Sequence, residues 1–111
     1  METIFKKIIQ KELPADRVYE NDHLLVIKDI NPQAPVHLLI IPKKEYASLQ
    51  DLPKEELPIV MEVIQVAQEL ARKFKIADNY RLITNIGTKA GQSVFHLHFH
   101  MIGGGSLGPI A

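Results

Sequence analysis

The sequence predicts an α+β fold in one domain, residues 1–111, built on a five-stranded antiparallel sheet with one long and one short helix. Two observations predict this class. One long segment, residues 54–75, repeats apolar side chains at i, i+3, i+4 and i+7, the spacing of a helix with one buried stripe. Five shorter apolar segments are bounded by turn signals and joined by hairpin-like connections, which favours antiparallel pairing.

The first half of the chain predicts a short helix and three strands. Thr3 is a suitable N-cap for the helix because its hydroxyl can accept a hydrogen bond from a free amide. The apolar stripe of this helix consists of Ile4, Phe5, Ile8 and Ile9. Strands follow at residues 18–20 and 23–28, and two prolines make residues 31–35 a loop. The next strand, residues 36–41, is apolar on both faces, which indicates a central position.

The second half predicts the long helix and two more strands. Pro58 requires the regular helix either to begin there or to have a distorted first turn. Strands follow at residues 81–85 and 94–102. In the last strand, one face carries Val94, His96, His98 and His100, and the other carries Phe95, Leu97, Phe99 and Met101. Because one long helix covers only one face of the sheet, we expect the apolar face as core and the histidine face open to a ligand.

Composition excludes several classes of protein. Hydrophobic residues make up 46% of the chain, which excludes a disordered protein. Basic and acidic residues number 13 each, so no binding of polymeric nucleic acid is expected. The absence of cysteine excludes disulfides and thiolate metal sites. No secretion signal is evident, and no apolar segment reaches the roughly 20 residues of a membrane helix, so a cytoplasmic protein without membrane contact is expected.

The three alternating histidines predict chemistry rather than packing. Imidazole has an unperturbed pKa of about 6.5 and therefore exchanges protons near neutral pH. A neutral imidazole is also a competent nucleophile towards phosphorus, and its attack gives a phosphohistidine that water can resolve. An amine is the leaving group most helped by a proton at neutral pH, so a P–N bond is a natural target.

A metal site is the competing interpretation, because imidazoles are common zinc ligands. Alternate residues of a strand lie about 6.8 Å apart, so His96 and His100 would be separated by roughly 13–14 Å at the backbone. Two neighbouring histidines could share an ion, but three would strain to converge on one. Further ligands would have to come from residues such as His37 or Asp29.

Several other residues have two interpretations each. The loop of residues 87–93 either binds an anion, since its glycines allow close backbone approach, or is an ordinary hairpin connection. His37 is either a hydrogen-bonded structural histidine or a member of the histidine face. Asp29 is either a turn residue or an acceptor for a ribose hydroxyl. The apolar residues that form either ordinary core or a slot for a base are Ile4, Phe5, Ile8, Ile27 and Ile30.

The segment His96-Leu-His-Phe-His100-Met-Ile resembles the signature of the histidine triad family, His-x-His-x-His followed by apolar residues. Nearly the whole chain is similar, in the right order, to the Hint branch of this family, the histidine triad nucleotide-binding proteins. The matching segments are Thr3-Ile-Phe-Lys-Lys-Ile-Ile9, Asp29-Ile-Asn-Pro-Gln-Ala-Pro-Val-His37, Ile41-Pro-Lys-Lys44, Asn85 and Gly91-Gln-Ser93. The resemblance implies hydrolysis of purine nucleoside phosphoramidates, such as AMP joined to an amine or to lysine. It also implies a homodimer in which the two sheets form one continuous sheet.

The resemblance further implies a role for each site residue. His98 is the nucleophile and forms a nucleotidyl-histidine, while His96 and His37 orient or tune it. His100 and Ser93 contact the phosphate or the leaving group. The residues that help to fix the phosphate are Asn85, Gly91 and Gln92. Asp29 holds the ribose, and the residues that face the purine are Phe5, Ile8, Ile27 and Ile30. No cofactor and no metal are implied.

Differences between this sequence and its relatives bear on the expected metal content, branch and leaving-group preference. The segment Thr3-Ile-Phe-Lys6 stands where some relatives carry Cys-x-x-Cys for a structural zinc, so no such metal is expected. His100 argues against the transferase branch, in which glutamine takes that position, and the short chain disfavours the decapping branch. The tail, residues 103–111, lacks tryptophan, and family tails can reach the partner's site and shape leaving-group preference. Two alternatives stay open: hydrolysis of dinucleoside polyphosphates, and a nucleotide-binding regulatory module with incidental hydrolysis.

Overall fold

The computed structural model describes residues 2–110 and forms a mixed α and β structure. The helices are α1 (Ile4–Ile9) and α2 (Pro58–Lys73). The strands are β1 (Arg17–Glu20), β2 (Leu24–Lys28), β3 (Val36–Pro42), β4 (Tyr80–Ile83) and β5 (Phe99–Gly103). All neighbouring strands are antiparallel, in the order β1-β2-β3-β5-β4, so the predicted α+β class is confirmed. Within residues 2–110, no helix is both long enough and apolar enough to span a bilayer.

Two apolar clusters lie on opposite faces of the sheet. On one face, α2 packs against alternate strand residues such as Val26 and Ile40. On the other face, α1 contributes Phe5 and Ile8. The strand residues of this second cluster are Leu25, Ile27, Leu39 and Ile41. The long helix thus covers one face, as expected, and the short helix covers part of the other.

The short helix α1 begins after Thr3, as predicted, and side-chain contacts anchor it near both ends. The hydroxyl of Thr3 accepts a hydrogen bond from the amide of Lys6 at 3.1 Å. Lys6 also pairs with Glu45 at 2.5 Å, and Arg17 donates to the carbonyl of Ile8 at 2.5 Å. A helix of six residues is marginal by itself, so these contacts and the buried apolar stripe hold it over the sheet.

The long helix is shorter than predicted at both ends. Lys54–Glu56 forms a separate 3-10 helix, and α2 begins at Pro58, where the missing N–H costs no helical hydrogen bond. The helix ends at Lys73, because Lys75 adopts a left-handed conformation with φ 60°. The structure therefore shows a regular helix that begins at Pro58 rather than a longer helix with a distorted first turn.

The last two strands are also shorter than predicted. β5 begins at Phe99 rather than at residue 94, because the amide of Leu97 donates to the carbonyl of Tyr46 at 2.6 Å. This bond joins the segment before β5 to the loop after β3, so Leu97 bonds outside the pairing of β3 with β5. Phe95, expected in the core, is 50% exposed. β4 ends at Ile83 rather than at residue 85, and the hydroxyl of the next residue, Thr84, bonds the carbonyl of His98 at 2.8 Å.

Candidate active site

Three histidine rings meet on the sheet face opposite α2. His100 lies in β5 opposite Leu39 of β3, and His37 lies in β3 opposite Ile102. His98 directly precedes β5. The ring centroids of His98 and His100 are 5.2 Å apart, and those of His37 and His100 are also 5.2 Å apart. The structure therefore brings together three of the four histidines that the sequence singled out.

His96 is the exception, and the prediction that it shares an open face with its neighbours is wrong. Its side chain is 1% exposed, and its Nε2–H donates to the carbonyl of Pro42 at 2.7 Å. Its Nδ1 has no hydrogen-bond partner within residues 2–110. Its ring centroid lies 6.3 Å from that of Phe5 in α1, which also packs against His98, so His96 is on the same side of the sheet but is buried there. His96 reaches the site through its main-chain oxygen, which bonds the ring of His98.

His98 is held with one nitrogen free. Its Nδ1 lies 2.7 Å from the carbonyl oxygen of His96. A carbonyl only accepts, so Nδ1 carries the hydrogen and Nε2 of the neutral ring has the free electron pair. Phe5 packs edge-on against the ring, with centroids 4.7 Å apart and planes at 74°. Burial lowers the pKa of His98, although the bond to His96 and the charge of Asp29 oppose this shift.

His37 and His100 form a hydrogen-bonded pair in which the position of each proton is defined. The main-chain N–H of Gln33 donates to Nδ1 of His37 at 3.0 Å, so the hydrogen of neutral His37 is on Nε2. That nitrogen lies 2.9 Å from Nδ1 of His100 and donates to it. The hydrogen of neutral His100 is therefore on its Nε2. The site combines an electron pair on His98 with an N–H on His100.

The electrostatics of the pair are set by burial and by one carboxylate. Burial lowers the pKa of His37, and the charge of Asp29 opposes this. Burial also lowers the pKa of His100, with further lowering from His98 and His37 and opposition from Asp29. Oδ2 of Asp29 lies 3.3 Å from Nε2 of His37. The three rings are thus mostly neutral near pH 7, which suits a nucleophile and a hydrogen-bond donor.

The same residues are the place to test the metal interpretation. Asp29, His37 and His100 each offer one ligand atom, and these atoms lie within 4.8 Å of one another. A metal-bound histidine normally donates its second ring N–H to an acceptor. Here the second nitrogen of His37 faces a donor, the amide of Gln33. A metal on Nε2 of His37 would move the ring hydrogen to Nδ1, where this N–H would face the N–H of Gln33. Two donors would then point at each other, so the geometry favours the hydrogen-bonded pair.

A cavity of about 660 Å³ opens beside the three rings. Most of the predicted substrate residues line it: Phe5, Ile8, Ile27, Asp29, Ile30, Asn85, Gly91 and Ser93. Ile30 is at the rim, since 90% of it is exposed. The cavity lies within the range of about 300–1,000 Å³ that is typical of small-molecule sites. Part of the lining is apolar, from α1 and β2, and part is polar, from the histidines, Asn85 and Ser93.

Two glycines shape the loop of residues 87–93. Gly87 has φ 89° and Gly91 has φ 99°, a left-handed region that glycine enters without steric cost. Gly91 lies close to Asn85: a Cβ atom at position 91 would be 3.6 Å from the side-chain amide nitrogen of Asn85. The loop therefore brings Asn85, Gly91 and Ser93 to the cavity wall together.

Gln92 is buried within the same loop, and the structure does not place its side chain in the cavity. It is 4% exposed, and its Oε1 accepts the amide of Gly87 at 2.9 Å. Its Nε2 donates to the carbonyls of Ala47 at 2.7 Å and Val94 at 3.2 Å. Its main-chain N–H is also used, by the carbonyl of Gly87 at 3.0 Å. Gln92 thus holds the loop, and its expected phosphate contact is not supported.

Sequence reasoning missed Gln33, which lines the cavity and fixes the proton of His37. The contact comes from the main-chain N–H, so the side chain gave no signal. Leu39 and Val94 also line the cavity, although the sequence places them only in the central strand and on the histidine face.

Comparison with known proteins agrees with this geometry. Residues 10–107 match the family model of the HIT domain. A HIT-like protein of Chlamydia pneumoniae is 50% identical over 109 residues, which is 98% of this chain and 99% of that protein. The purine nucleoside phosphoramidase of Escherichia coli is 44% identical over 110 residues, which is 98% of this chain and 92% of the relative.

Solved structures give the same result. A HIT family hydrolase of Clostridium thermocellum has a TM-score of 0.93 at 46% identity and covers 97% of this chain and 95% of its own. A histidine triad protein of Clostridium difficile also has a TM-score of 0.93, at 40% identity, with both chains covered in full. These matches confirm the resemblance drawn from the histidine motif. The chain belongs to the HIT domain family.

Proposed function

We propose that this protein is a hydrolase that cleaves the P–N bond of purine nucleoside 5'-phosphoramidates, such as AMP joined to an amine or to lysine, through a nucleotidyl-His98 intermediate. The observation that carries the proposal is the hydrogen bond from Nδ1 of His98 to the carbonyl of His96, which leaves Nε2 with its electron pair. The E. coli relative, named purine nucleoside phosphoramidase, supports the choice of substrate.

In the first step, Nε2 of His98 attacks phosphorus and the P–N bond breaks. The new imidazolium keeps its Nδ1–H on the carbonyl of His96, which stabilises the positive charge. The departing amine takes a proton from the His37–His100 pair, so the reactive form is the fraction of the protein in which this pair carries one extra proton and His98 is neutral. Nε2–H of His100 also suits a phosphoryl oxygen, whose negative charge develops in the transition state.

In the second step, water attacks phosphorus and the N–P bond to His98 breaks. The electron pair returns to Nε2 of His98, and the proton of water returns to the His37–His100 pair. The products are the amine and a nucleoside monophosphate, and the enzyme regains its starting protonation. One group therefore acts first as an acid and then as a base.

The cavity supplies a place for each part of such a substrate. The apolar wall, with Phe5, Ile8 and Ile27, suits a purine, and Asp29 suits the ribose hydroxyls. Gly91 and Ser93, with Asn85 beside Gly91, suit the phosphate. The roles of these residues follow from the family resemblance and from their position along the cavity wall.

The test is intact-mass spectrometry of acid-quenched reactions with an AMP–amine phosphoramidate, with AMP release followed in parallel. We expect an added adenylyl group and AMP release for the wild type, and neither for His98→Ala. His23→Ala is the matched control, because His23 pairs with Glu62 at the surface and should leave both signals unchanged. AMP release by His98→Ala at the wild-type rate would overturn the mechanism.

The same assay separates the alternatives. Faster cleavage of a dinucleoside polyphosphate than of the phosphoramidate would favour the P–O–P hydrolase. Tight binding of AMP without release from any substrate would favour a regulatory module. Either result would replace the proposed activity.

We also propose that the protein forms a homodimer with a continuous sheet. The order of strands makes β4 an edge, and an unpaired edge can add a second copy. The helix α2 exposes Met61 and Ile64, and Leu57 just before it is also exposed. These residues share one helical stripe, and 64% of Met61 is exposed, so the stripe lacks a partner within residues 2–110.

Light scattering after gel filtration tests the dimer. We expect a dimer for the wild type and a monomer for the double variant Met61→Glu, Ile64→Glu. The control is Gln10→Glu, Gln50→Glu, which adds the same charge at exposed polar positions outside α2 and should stay dimeric. A monomeric wild type would reject this proposal.

A further inference from the structure

The carboxylate of Asp29 has two separate environments in the structure. Oδ1 accepts the amide of Asn31 at 2.8 Å, which fixes the orientation of the group. Oδ2 lies 3.3 Å from Nε2 of His37. Asp29 also lines the cavity and is expected to hold the ribose. One fixed carboxylate therefore stands between the sugar end of the cavity and the histidine pair.

The histidine pair needs a neighbouring acceptor when it carries an extra proton. In the neutral pair, one hydrogen lies between Nε2 of His37 and Nδ1 of His100, which are 2.9 Å apart. With an extra proton, both of these nitrogens carry hydrogens, because Nδ1 of His37 is occupied by the amide of Gln33. One of the two N–H groups must then find another acceptor, and Oδ2 of Asp29 lies on the required side.

Few other charged or titratable groups face this pair. His98 lies just before β5, and its ring centroid is 5.2 Å from that of His100. On β4, Arg81 stands opposite Ile102, and its guanidinium bonds the carbonyl of Gly108 in the tail. Burial and the neighbouring histidines lower the pKa of His100, whereas Asp29 raises it. Asp29 is thus the group that favours a protonated pair.

We propose that Asp29 is a positioning residue for the His37–His100 pair, in addition to its expected ribose contact. Its carboxylate accepts the N–H that the protonated pair exposes and so holds the proton that the leaving amine requires. This inference rests on the proposed phosphoramidate hydrolysis. It predicts that Asp29 affects catalysis even when the substrate has no sugar hydroxyls to bind.

The two roles separate in a cycle of protein and substrate variants. The proteins are the wild type, Asp29→Asn and the control Asp16→Asn, and the substrates are an AMP–amine phosphoramidate and its 2',3'-dideoxy analogue. Asparagine keeps an oxygen for the Asn31 amide but presents no negative charge to His37. Asp16 is an exposed carboxylate that lies 3.6 Å from Lys28, so its variant removes the same charge away from the rings.

With the dideoxy substrate, we expect Asp29→Asn to lower kcat about tenfold or more, within the about 10²–10⁴-fold contribution of a positioned acid. We also expect the pH profile of kcat to move to lower pH, because loss of the Asp29 charge favours the neutral rings. With the ribose substrate, KM should rise in addition. Asp16→Asn should match the wild type in each measurement. An unchanged kcat and pH profile for Asp29→Asn on the dideoxy substrate would overturn the inference.

A second readout does not need turnover. Nitrogen NMR of the imidazoles in the free protein follows the titration of His37 and His100 directly. We expect the pair to titrate at lower pH in Asp29→Asn than in the wild type and in Asp16→Asn. An unchanged titration would overturn the inference. If the wild type cleaves neither substrate but the titration moves, the proposed function fails and the role of Asp29 at the pair stands.

Discussion

Gln92 offers the sharpest test of the site geometry, because the family resemblance and the structure assign it different roles. The resemblance implies a phosphate contact, whereas the structure places its amide in the loop, bonded to Gly87, Ala47 and Val94. Replacing it with alanine would remove three hydrogen bonds from a side chain that is 4% exposed. The two roles predict different effects on stability and on activity.

The expected loss of stability follows from these contacts. Each hydrogen bond contributes about 1 kcal/mol net, and a buried group left without a partner costs about 1–3 kcal/mol. The side chain serves one main-chain N–H and two carbonyls, so we expect Gln92→Ala to lose about 3 kcal/mol in the free energy of unfolding. For a chain slightly longer than 100 residues, about 4 °C per kcal/mol gives a fall in Tm of about 12 °C.

Thermal unfolding and steady-state kinetics on the same samples give the answer. The control is Lys89→Ala, an exposed position in the same loop, which should keep the wild-type Tm. Well below its melting temperature, Gln92→Ala should keep the histidine chemistry but show a raised KM, because the loop is less ordered. An unchanged Tm with a large loss of kcat/KM would refute this reasoning and support direct contact with the substrate.

Three further predictions follow from the histidines. Because burial lowers the pKa of His98, the acid limb of kcat/KM should fall at a pH below about 6.5, and a rate unchanged down to pH 4 would reject neutral His98 as nucleophile. The lowered pKa values of His37, His98 and His100 leave stability unaffected only well above about pH 6.5, where the rings are neutral in both states. Below that pH the unfolded chain binds protons that the folded one does not, so urea unfolding should show stability falling as pH falls. Dialysis against EDTA should leave activity unchanged, whereas stoichiometric zinc and loss of activity would support the metal alternative.

The fold was predictable to the extent that it depends on local patterns. The spacing of apolar residues predicted both helices, and Thr3 predicted where the first one begins. The start of β5 was not predictable, because it depends on a hydrogen bond between Leu97 and Tyr46, which are far apart in the sequence. An alternating pattern cannot show where a strand meets a contact of this kind. The exposure of Phe95 followed from that boundary, whereas the burial of His96 beside Phe5 of α1 is a tertiary contact that no local pattern shows.

Most of the residues at the cavity were predictable from the sequence, but the ring nitrogen that carries hydrogen in each histidine was not. The chemistry of imidazole indicated His98 and His100 and left His37 with two interpretations, and the family resemblance then implied a role for His37. Which nitrogen of each ring carries hydrogen depends on main-chain groups, and any residue can supply these. The residue types at the positions that supply these main-chain groups therefore do not indicate the contact.

The proton arrangement explains how one motif of alternating histidines can hold three different roles. The carbonyl of His96 fixes the electron pair of His98, and the amide of Gln33, acting through His37, fixes the N–H of His100. An imidazole with a free electron pair and an imidazole with a free N–H therefore stand 5.2 Å apart, and both tautomers depend on main-chain groups, directly for His98 and through His37 for His100. Because the carbonyl of His96 and the amide of Gln33 belong to the main chain, neither tautomer requires a polar side chain beyond His37.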